Sequence, residues 1–242
     1  MTDHAPLPLR GAAALVTGAS RGLGAALAED LAARGAKVAL VARGDAVHAV
    51  AERIVARGGE AHAIVDDVAD KGAPHRVAAI AAGAVGPVDL LFHNASTLGP
   101  VPLRELLDTD CEELARVLET NVVGPFRLTK VVAGSMALRG RGLVVSISSD
   151  AAIEAYPRWG AYSLSKAALE SMSRVFAAEL EPRGVRFVAV DPGEMNTAMH
   201  ADAVPDADPS ALADPRDVAR RLLDAIERGA PLGVRFVVGR AA

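Results

Sequence analysis

The chain has 242 residues, of which 51% are apolar and 23% charged, and its formal net charge at pH 7 is −4. A chain of this length can bury a substantial core, and its slight acidity argues against nucleic acid or an anionic membrane as its main partner. It lacks the run of about 18 apolar residues that a membrane-spanning helix needs.

The N-terminal stretch MTDHAPLPLRG carries two prolines and an early aspartate, and it lacks the apolar centre of a secretion signal. Cys111 is the only cysteine of the chain. An internal disulfide is therefore excluded, which is typical of proteins in a reducing compartment. We expect the protein to be located in the cytoplasm.

From residue 12 onward, short apolar runs alternate with longer segments of helical periodicity. The strand-like runs are AAALV, AKVALVA, EAHAIV, VDLLFH, RGLVVSIS, GVRFVAV and GVRFVV, and the predicted helices cover residues 22–34, 45–57, 70–83, 110–138, 161–181 and 214–228. Glycine follows most of these helices, at positions 35, 58, 140, 184 and 229. The pattern predicts an α/β fold: a single doubly wound Rossmann-type domain over residues 1–242, with a parallel sheet of about seven strands and helices on both faces.

The first predicted strand is followed by TGASRGLG, which places three glycines within eight residues. Such glycines permit a tight turn and the close approach of a ligand to the backbone. The free N–H groups and the positive dipole end of the next helix suit a pyrophosphate. A tight turn without a ligand is the alternative, but the position after the first strand favours nucleotide binding. The predicted contacts in this turn are Gly18, Ser20, Arg21, Gly22, Leu23 and Gly24.

The end of the second strand, KVALVARG, indicates which dinucleotide the turn would hold. Folds that bind NAD place a carboxylate near this point for the ribose 2′-hydroxyl, but this chain has Ala42 followed by Arg43. Arg43 and Arg21 supply guanidinium groups, which pair with a phosphate in a bidentate fork. We therefore predict NADP(H) in preference to NAD(H); two merely solvated arginines are the alternative.

The long predicted helix at 110–138 contains Asn121 and, four residues later, Pro125. Thr109 and Glu112 have capping-box spacing at its start. Because proline lacks an N–H group, the carbonyl of Asn121 loses its partner in the helix, and the helix should kink. The freed carbonyl offers a place for an ordered water that connects to Lys166; a kink that only shapes packing is the alternative.

The candidate reaction centre follows. Ser149 ends the strand RGLVVSIS at the sheet edge where parallel folds bind ligands, and its neighbour Ser148 should point the other way. In YSLSK, Tyr162 and Lys166 are four residues apart and project from one helix face. A nearby ammonium lowers the pKa of a phenol. This suits Tyr162 for proton exchange with a carbonyl or alcohol, with the Ser149 hydroxyl bonded to the same oxygen.

Two further features have both a functional and a structural interpretation. Trp159, three residues before Tyr162, either walls a pocket or packs in the core. The segment 192–209, rich in proline and aspartate, is either a mobile substrate lid or a plain surface loop. The six histidines show no metal-binding spacing, so no metal site is expected.

Taken together, these motifs resemble the short-chain dehydrogenase/reductase family. TGASRGLG, DV at 67–68, HNAS at 93–96, NVVG at 121–124, Ser149, YSLSK and DPGEMNT at 191–197 occur in the family's order and cover nearly the whole chain. Within the family, PRWGAY and PGEMNTAMH are similar to the sepiapterin and benzil reductase branch. His93 and Ser96 replace the family's usual Asn and Gly, and we expect altered packing there without loss of binding.

The resemblance implies a catalytic tetrad of Asn121, Ser149, Tyr162 and Lys166. Tyr162 would be the general acid/base, and Ser149 would orient the carbonyl. Lys166 would lower the tyrosine pKa and bind the nicotinamide ribose, while Asn121 would hold a proton-relay water. The other implied cofactor contacts are Asp67 and Val68 at the adenine, Asn94 and Ala95 on the adenosine side, and Pro192, Gly193, Met195 and Thr197 at the nicotinamide amide.

The sequence thus predicts an NADP(H)-dependent oxidoreductase that reduces a ketone or aldehyde, or oxidises the alcohol, by hydride transfer. A nucleotide-sensing regulator without turnover is the alternative, but the complete tetrad disfavours it. A nucleoside-methyl transfer enzyme is disfavoured by YSLSK and by the absence of an acid at position 42. The expected partners are a small carbonyl or alcohol substrate and, from the resemblance, further copies of the chain in a homodimer or homotetramer formed through the helices at 110–138 and 161–181.

Overall fold

The structure, a computed structural model, describes residues 7–229 and 235–238. Residues 1–6, which include His4, and residues 233–234, the start of the predicted strand GVRFVV, lie outside the described residues, as do the two ends of the predicted domain. The described strands are β1 (Ala13–Thr17), β2 (Lys37–Ala42), β3 (Glu60–Val65), β4 (Leu90–His93), β5 (Gly142–Ile147), β6 (Val185–Asp191) and β7 (Arg235–Val237).

These described strands form one sheet in the order β3-β2-β1-β4-β5-β6-β7, and every neighbouring pair is parallel. All of them therefore end at the same edge of the sheet. The chain starts in the middle at β1, builds outward through β2 and β3, and returns to β4 on the other side of β1. The predicted α/β fold with a doubly wound parallel sheet is confirmed. The reversal between β1 and β4 is the place where such sheets bind ligands.

Helices connect the strands. They are α1 (Gly22–Ala33), α2 (Ala46–Ala56), α3 (Ala73–Val85), α4 (Cys111–Leu118), α5 (Gly124–Arg139), α6 (Gly160–Leu180), α7 (Ala198–Ala203) and α8 (Pro215–Glu227). The predicted segments agree with these bounds to within three residues, except that the short α7, in the segment 192–209, was not predicted. Within the described part of the chain, no helix has both the length and the apolar composition needed to cross a membrane.

The predicted long helix is interrupted between α4 and α5 by a π-helical turn at Glu119–Val123. Gly124 donates its N–H to the carbonyl of Glu119, five residues back, so the helix widens just before Pro125. Because the proline has no N–H to donate, the regular pattern of bonds cannot continue through this position. The interruption lies where the kink is predicted.

The predicted capping box at the start of this helix is wrong. Asp110 is the N-cap residue, and its side chain makes no capping bond. The Thr109 hydroxyl instead donates to the carbonyl of Glu105 at 2.9 Å, where it closes the short 3-10 turn that precedes the helix.

The sheet separates two apolar cores. Along β1, Ala14 and Val16 belong to the core shared with α1, α2 and α8, whereas Ala13 and Leu15 belong to the core shared with α3, α5 and α6. Successive residues of a strand face opposite sides, so a fully apolar strand is what a sheet covered on both faces requires. Each fully buried Val or Leu side chain contributes about 1.5–3 kcal/mol, which makes the sheet a rigid base for the site at its edge.

Candidate active site

A cleft of about 1330 Å³ runs along the sheet edge at which the strands end. Its walls come from the turn after β1, from the ends of β2, β4, β5 and β6, and from the starts of α6 and α7. The predicted site residues that line it are Gly18, Ser20, Arg21, Gly22, Leu23, Arg43, Asp67, Val68, Asn94, Ala95, Ser149, Tyr162, Lys166, Pro192, Gly193, Met195 and Thr197. Gly24 and Asn121 are not part of this lining.

The turn between β1 and α1 is held against the end of β4. Gly18 and Gly22 have φ values of +66° and +55°, in the left-handed region that favours glycine. A Cβ at Gly18 would lie 2.8 Å from the Cα of Ala95, so the two backbones meet where no side chain fits. The Asn94 side chain donates to the carbonyl oxygens of Thr17 and Gly18 at 3.0 and 3.1 Å. Asn94 and Ala95 therefore shape the glycine turn itself.

Gly24 lies in the first turn of α1 and faces the same junction. A Cβ there would overlap the Gly18 carbonyl oxygen and the Asn94 side chain, so glycine lets the helix N-terminus close onto the turn. We expect Gly24→Ala to lower the free energy of unfolding by about 1–3 kcal/mol, the cost of overpacking a tight site. We also expect it to weaken NADPH binding about 10-fold, because the helix N-terminus must move.

The matched control is Gly83→Ala in α3. A Cβ at Gly83 meets open space, and alanine is about 0.5–1 kcal/mol more favourable than glycine inside a helix. Urea unfolding and NADPH fluorescence titration measure both variants. Equal stability of the Gly24→Ala and Gly83→Ala proteins would contradict this account of the turn.

Three of the predicted catalytic side chains meet in the cleft. Tyr162, in the first turn of α6, is 8% exposed, and the Ser149 hydroxyl, just after β5, is close enough to act on its phenol. Lys166 follows one helical turn later. Its ammonium donates to the Ile147 carbonyl at 2.7 Å and lies 5.3 Å from the centre of the Tyr162 ring. The phenol, the hydroxyl and the ammonium thus share one cleft with the glycine turn.

Burial dominates the protonation of Tyr162. It raises the pKa of the phenol well above its usual range; the hydrogen bond with Ser149 acts in the opposite direction, and the charges of Asp150 and Asp191 add to the rise. The predicted lowering of this pKa is therefore wrong for the structure, because burial disfavours the charged phenolate. At neutral pH Tyr162 is a protonated phenol, which is the form that donates a proton.

A buried carboxylate, Glu170, lies behind Lys166. Burial lowers the pKa of Lys166 to about 8, and the charge of Glu170 acts against this lowering. The Ser148 hydroxyl donates to Glu170 at 2.6 Å, whereas the Ser149 hydroxyl donates to Asp150 at 2.8 Å. The two neighbouring serines therefore have different hydrogen-bond partners, although both line the cleft.

Asn121 lies in the π-helical turn and is buried. Its amide oxygen accepts the N–H of Thr97 at 2.8 Å, and its amide nitrogen donates to the Thr97 carbonyl and to the Ser165 hydroxyl at 2.8 and 2.9 Å. Ser165 in turn donates to the carbonyl of Tyr162 at 2.7 Å. The Asn121 side chain thus anchors the first turn of α6. The relay water on its main-chain carbonyl stays a prediction.

The two departures from the family pattern have different environments. His93 is buried at the end of β4, where its Nε2 shares a 2.7 Å hydrogen bond with the Thr129 hydroxyl, and burial lowers its pKa to about 3. It is a neutral core histidine outside the cleft lining. Ser96 lines the cleft, and its hydroxyl oxygen is buried without a hydrogen-bond partner among the described residues.

Aromatic and apolar side chains form one end of the cleft. Trp159 packs edge-on against Tyr162 with the ring centres 5.8 Å apart, and against Tyr156 at 6.4 Å. Met199 of α7 packs on the same cluster, so the segment 192–209 lies over the predicted reaction centre. Trp159 is therefore a wall of the cleft. The mobility of the segment stays a prediction.

Carboxylates surround this aromatic end. The Tyr156 hydroxyl donates to Asp150 at 2.9 Å; this bond and the charges of Asp150, Glu154 and Glu194 raise the pKa of Tyr156. His200 lies 3.4 Å from Glu194. In residues 7–229 and 235–238, no group of three or more His, Cys, Asp or Glu side chains is placed to hold a metal ion.

The opposite end of the cleft is basic and fits a dinucleotide phosphate. Arg21 and Arg43 line it, and neither makes an ion pair or a side-chain hydrogen bond within the described residues. The strand β2 ends at Ala42, without a carboxylate at that point. At Gly193, which lines the same cleft, φ is +72° and the space that a Cβ would enter is open. The glycine turn and the two guanidinium groups thus suit the predicted cofactor.

The sequence matches the family model described as short chain dehydrogenase over residues 12–208. The matched region contains the glycine turn and the side chains that meet in the cleft: Asn121, Ser149, Tyr162 and Lys166. The chain belongs to the short-chain dehydrogenase family. This assignment makes it a member of an oxidoreductase family and confirms the resemblance seen in its motifs.

Curated relatives of this family member include two reductases. A glycine betaine reductase of Emericella nidulans is 34% identical over 230 residues, which are 91% of this chain but 18% of that protein. Carbonyl reductase (NADPH) 2 of Sus scrofa is 35% identical over 192 residues, 78% of this chain and 74% of the relative. The likeness to the sepiapterin and benzil reductase branch stays a prediction.

Solved structures of similar fold hold nicotinamide dinucleotides. A short chain dehydrogenase of Escherichia coli CFT073 complexed with NADPH has a TM-score of 0.89 at 29% identity, with 96% of this chain and 98% of that chain covered. A 7α-hydroxysteroid dehydrogenase complexed with NADH has a TM-score of 0.86 at 28% identity, with 95% and 94% covered. Cofactors with the ribose 2′-phosphate and cofactors without it therefore both occur among similar structures.

Three polar residues next to the site were missed by sequence reasoning: Glu170, Asp191 and Arg235. Glu170 follows Lys166 by four residues and so lies on the same face of α6, a spacing that was visible in the sequence. Asp191 stands directly before the PG of the cofactor motif. Arg235 has no local signal, because it reaches the site only through the pairing of β7 with β6.

Proposed function

We propose that this family member is an NADP(H)-dependent oxidoreductase that reduces a ketone or aldehyde, or oxidises the corresponding alcohol. The observation that carries the proposal is the buried Tyr162 hydroxyl, which lies beside Ser149 and Lys166 and shares one cleft with the glycine turn. A protein that only binds nucleotide has no need of a buried proton donor at this place.

The proton chemistry follows from the side chains of the cleft. Tyr162 donates its proton to the carbonyl oxygen as that oxygen gains negative charge. The Ser149 hydroxyl, which donates to Asp150 in the structure, turns to donate a hydrogen bond to the same oxygen. Lys166, buried and with its pKa near 8, supplies positive charge that stabilises the phenolate left behind. When bound, the nicotinamide supplies or accepts the hydride.

The proposed preference for NADP(H) is supported by charge. Arg21 and Arg43 are cationic side chains without partners within the described residues, and they line the cleft beyond the end of β2. A 2′-phosphate supplies the partner that both lack. No carboxylate follows Ala42 on β2 to bind a ribose 2′-hydroxyl, as NAD-binding folds require.

The substrate end favours carbonyl compounds that carry no negative charge. Asp150, Glu154 and Glu194 act on the hydroxyl of Tyr156, and like charges repel an anionic substrate in the same space. The aromatic rings of Trp159 and Tyr156 offer an apolar or cation-binding surface. We therefore propose a neutral or cationic aldehyde or ketone as substrate class.

The test is an NADPH fluorescence titration followed by a turnover screen. Neutral aldehydes, diketones and pterins are offered with NADPH, each beside a carboxylate-bearing analogue of similar size. We expect saturable binding of NADPH and faster oxidation of NADPH with the uncharged compound of each pair. Binding of NADPH without turnover of any compound would support the alternative, a nucleotide-sensing regulator.

Two further elements of the proposal concern assembly and location. We propose a homodimer or homotetramer, because α5 and α6 expose apolar side chains that one copy leaves in water: Phe126, Leu138, Leu164 and Val175. We also propose a cytoplasmic location, which the exposed, unpaired thiol of Cys111 favours.

A further inference from the structure

A cluster of charged side chains lies at the carboxyl ends of β5 and β6, where Asp191 and Arg235 form part of the cleft wall. Arg235 of β7 donates from Nε to Glu170 at 3.0 Å and from Nη2 to Asp191 at 2.9 Å. The same Nη2 donates to the carbonyl oxygen of Ser149 at 3.2 Å. The Ser148 hydroxyl donates to the Glu170 oxygen that Arg235 contacts. One guanidinium thus ties together β5, β6 and α6.

Both carboxylates of this cluster are linked to the reaction centre. Glu170 lies one turn after Lys166 on α6, and its charge acts on that ammonium. Asp191 accepts the N–H of Gly193 at 3.0 Å, and its charge acts on the Tyr162 hydroxyl. A change in the charge of either carboxylate therefore changes the pKa of Tyr162 or of Lys166.

Arg235 is the main counter-charge of these carboxylates. The side chains of Glu170 and Asp191 are only 4% and 8% exposed, and a buried carboxylate without a partner is strongly disfavoured. Glu170 also faces Arg174, but at 3.8 Å and with 54% of the arginine side chain exposed. Burial by itself lowers the pKa of Arg235, yet the bonds to the two carboxylates leave it raised.

We propose that Arg235 is a positioning residue for the reaction: it neutralises two buried carboxylates at the edge of the cleft and holds the end of β5 in place. Its guanidinium is bonded to Glu170, Asp191 and the Ser149 carbonyl, and it acts on the reaction centre through these groups. The inference rests on the proposed function, since it concerns proton transfer at Tyr162.

The sign of the expected effect follows from the charges. Without the guanidinium, the two carboxylates favour the protonated forms of Tyr162 and Lys166, so both groups release protons at higher pH. Replacing Glu170 by Gln removes a negative charge and acts in the opposite direction. The charged groups that face the reaction centre are Asp150 after β5, Asp191 on β6, Glu170 on α6 and Arg235 on β7. Asp150 is present in all variants, so differences between their pH profiles arise from Arg235, Glu170 and Asp191.

The test compares Arg235→Gln, Arg235→Lys, Glu170→Gln and Arg174→Gln in the full chain, with kcat/KM measured against pH on a carbonyl substrate. We expect Arg235→Gln to raise the apparent pKa of the profile by about one unit and to lower kcat about 10-fold. Arg235→Lys restores the charge, so its profile should return towards that of wild type. Glu170→Gln should lower the apparent pKa, and Arg174→Gln, the matched control at the same carboxylate, should leave it unchanged.

Thermal unfolding supplies a readout that needs no turnover. Arg235→Gln should lose more stability at about pH 8 than at about pH 5, because its unpaired carboxylates take up protons as the pH falls. A pH profile of Arg235→Gln that superimposes on that of wild type overturns the proposal, whatever the change in kcat. If that variant does not fold, an unshifted profile of Glu170→Gln overturns it.

The failure of the proposed function gives a different result. In that case the wild-type protein turns over no carbonyl or alcohol. The pH dependence of thermal unfolding is then the only test of the charges around Arg235. A stability loss of Arg235→Gln that is independent of pH, or equal to that of Arg174→Gln, then overturns the proposed role of Arg235.

Discussion

The Tyr162→Phe protein is expected to bind NADPH as tightly as wild type and to reduce carbonyl substrates about 10³-fold more slowly, within the range for loss of a general acid. The substitution removes only the hydroxyl, which lies beside Ser149. The ring keeps its edge-on contact with Trp159 and its place beneath the Lys166 ammonium, so the packing of the cleft is retained. Steady-state kcat and an NADPH fluorescence titration measure the two effects separately.

The matched control is Tyr156→Phe, at the only other tyrosine of the chain. Its hydroxyl also lies in the cleft but is bonded to the carboxylate of Asp150, and its ring is exposed. We expect this variant to retain most of the wild-type kcat. An equal loss of kcat in the two variants, or full activity of Tyr162→Phe, contradicts the assignment of Tyr162 as proton donor.

Arg43→Ala is expected to raise the KM for NADPH about 10- to 100-fold while the KM for NADH stays nearly constant. A hydrogen-bonded pair of charged groups contributes about 1.5–3 kcal/mol, which corresponds to that range of affinity. The 2′-phosphate is the one group that distinguishes the two cofactors, so NADH is an internal control for the folding and the activity of the variant. Initial rates with each cofactor, at a saturating carbonyl concentration, provide the measurement.

A second variant keeps this prediction specific to position 43. Arg57 ends α2 and pairs with Glu29 at 3.3 Å, outside the cleft lining. Arg57→Ala should therefore leave both KM values unchanged. Equal increases in the KM for NADPH and NADH in Arg43→Ala would refute the assignment of this arginine to the 2′-phosphate.

The sheet and helices were predictable because their signals are local. Residues 13–16 of β1 are all apolar, as a strand buried on both faces requires, and Gly35, Gly58 and Gly140 end helices with positive φ. The prediction of the capping box failed because two neighbouring elements offer hydrogen-bond partners to the same hydroxyl. Thr109 bonds to the turn before α4 instead of capping that helix.

The candidate site was predictable to the extent that it depends on chain spacing. Tyr162 and Lys166 share a helix face because they are four residues apart, and the glycine turn follows the first strand. The direction of the tyrosine pKa was not predictable. It depends on how much water burial removes from the phenol and on the position of Asp191, both of which are set by the packed fold.

The sequence by itself determined the family, the order of strands and helices, and the residues at the strand ends, because apolar periodicity and short motifs act over a few residues. Only the tertiary structure decided which charges meet behind these residues. Arg235 is 65 residues from Glu170 and 44 from Asp191 along the chain. Parallel strand pairing brings them within hydrogen-bond distance. Because these groups are buried, their net charge affects the pKa of Tyr162.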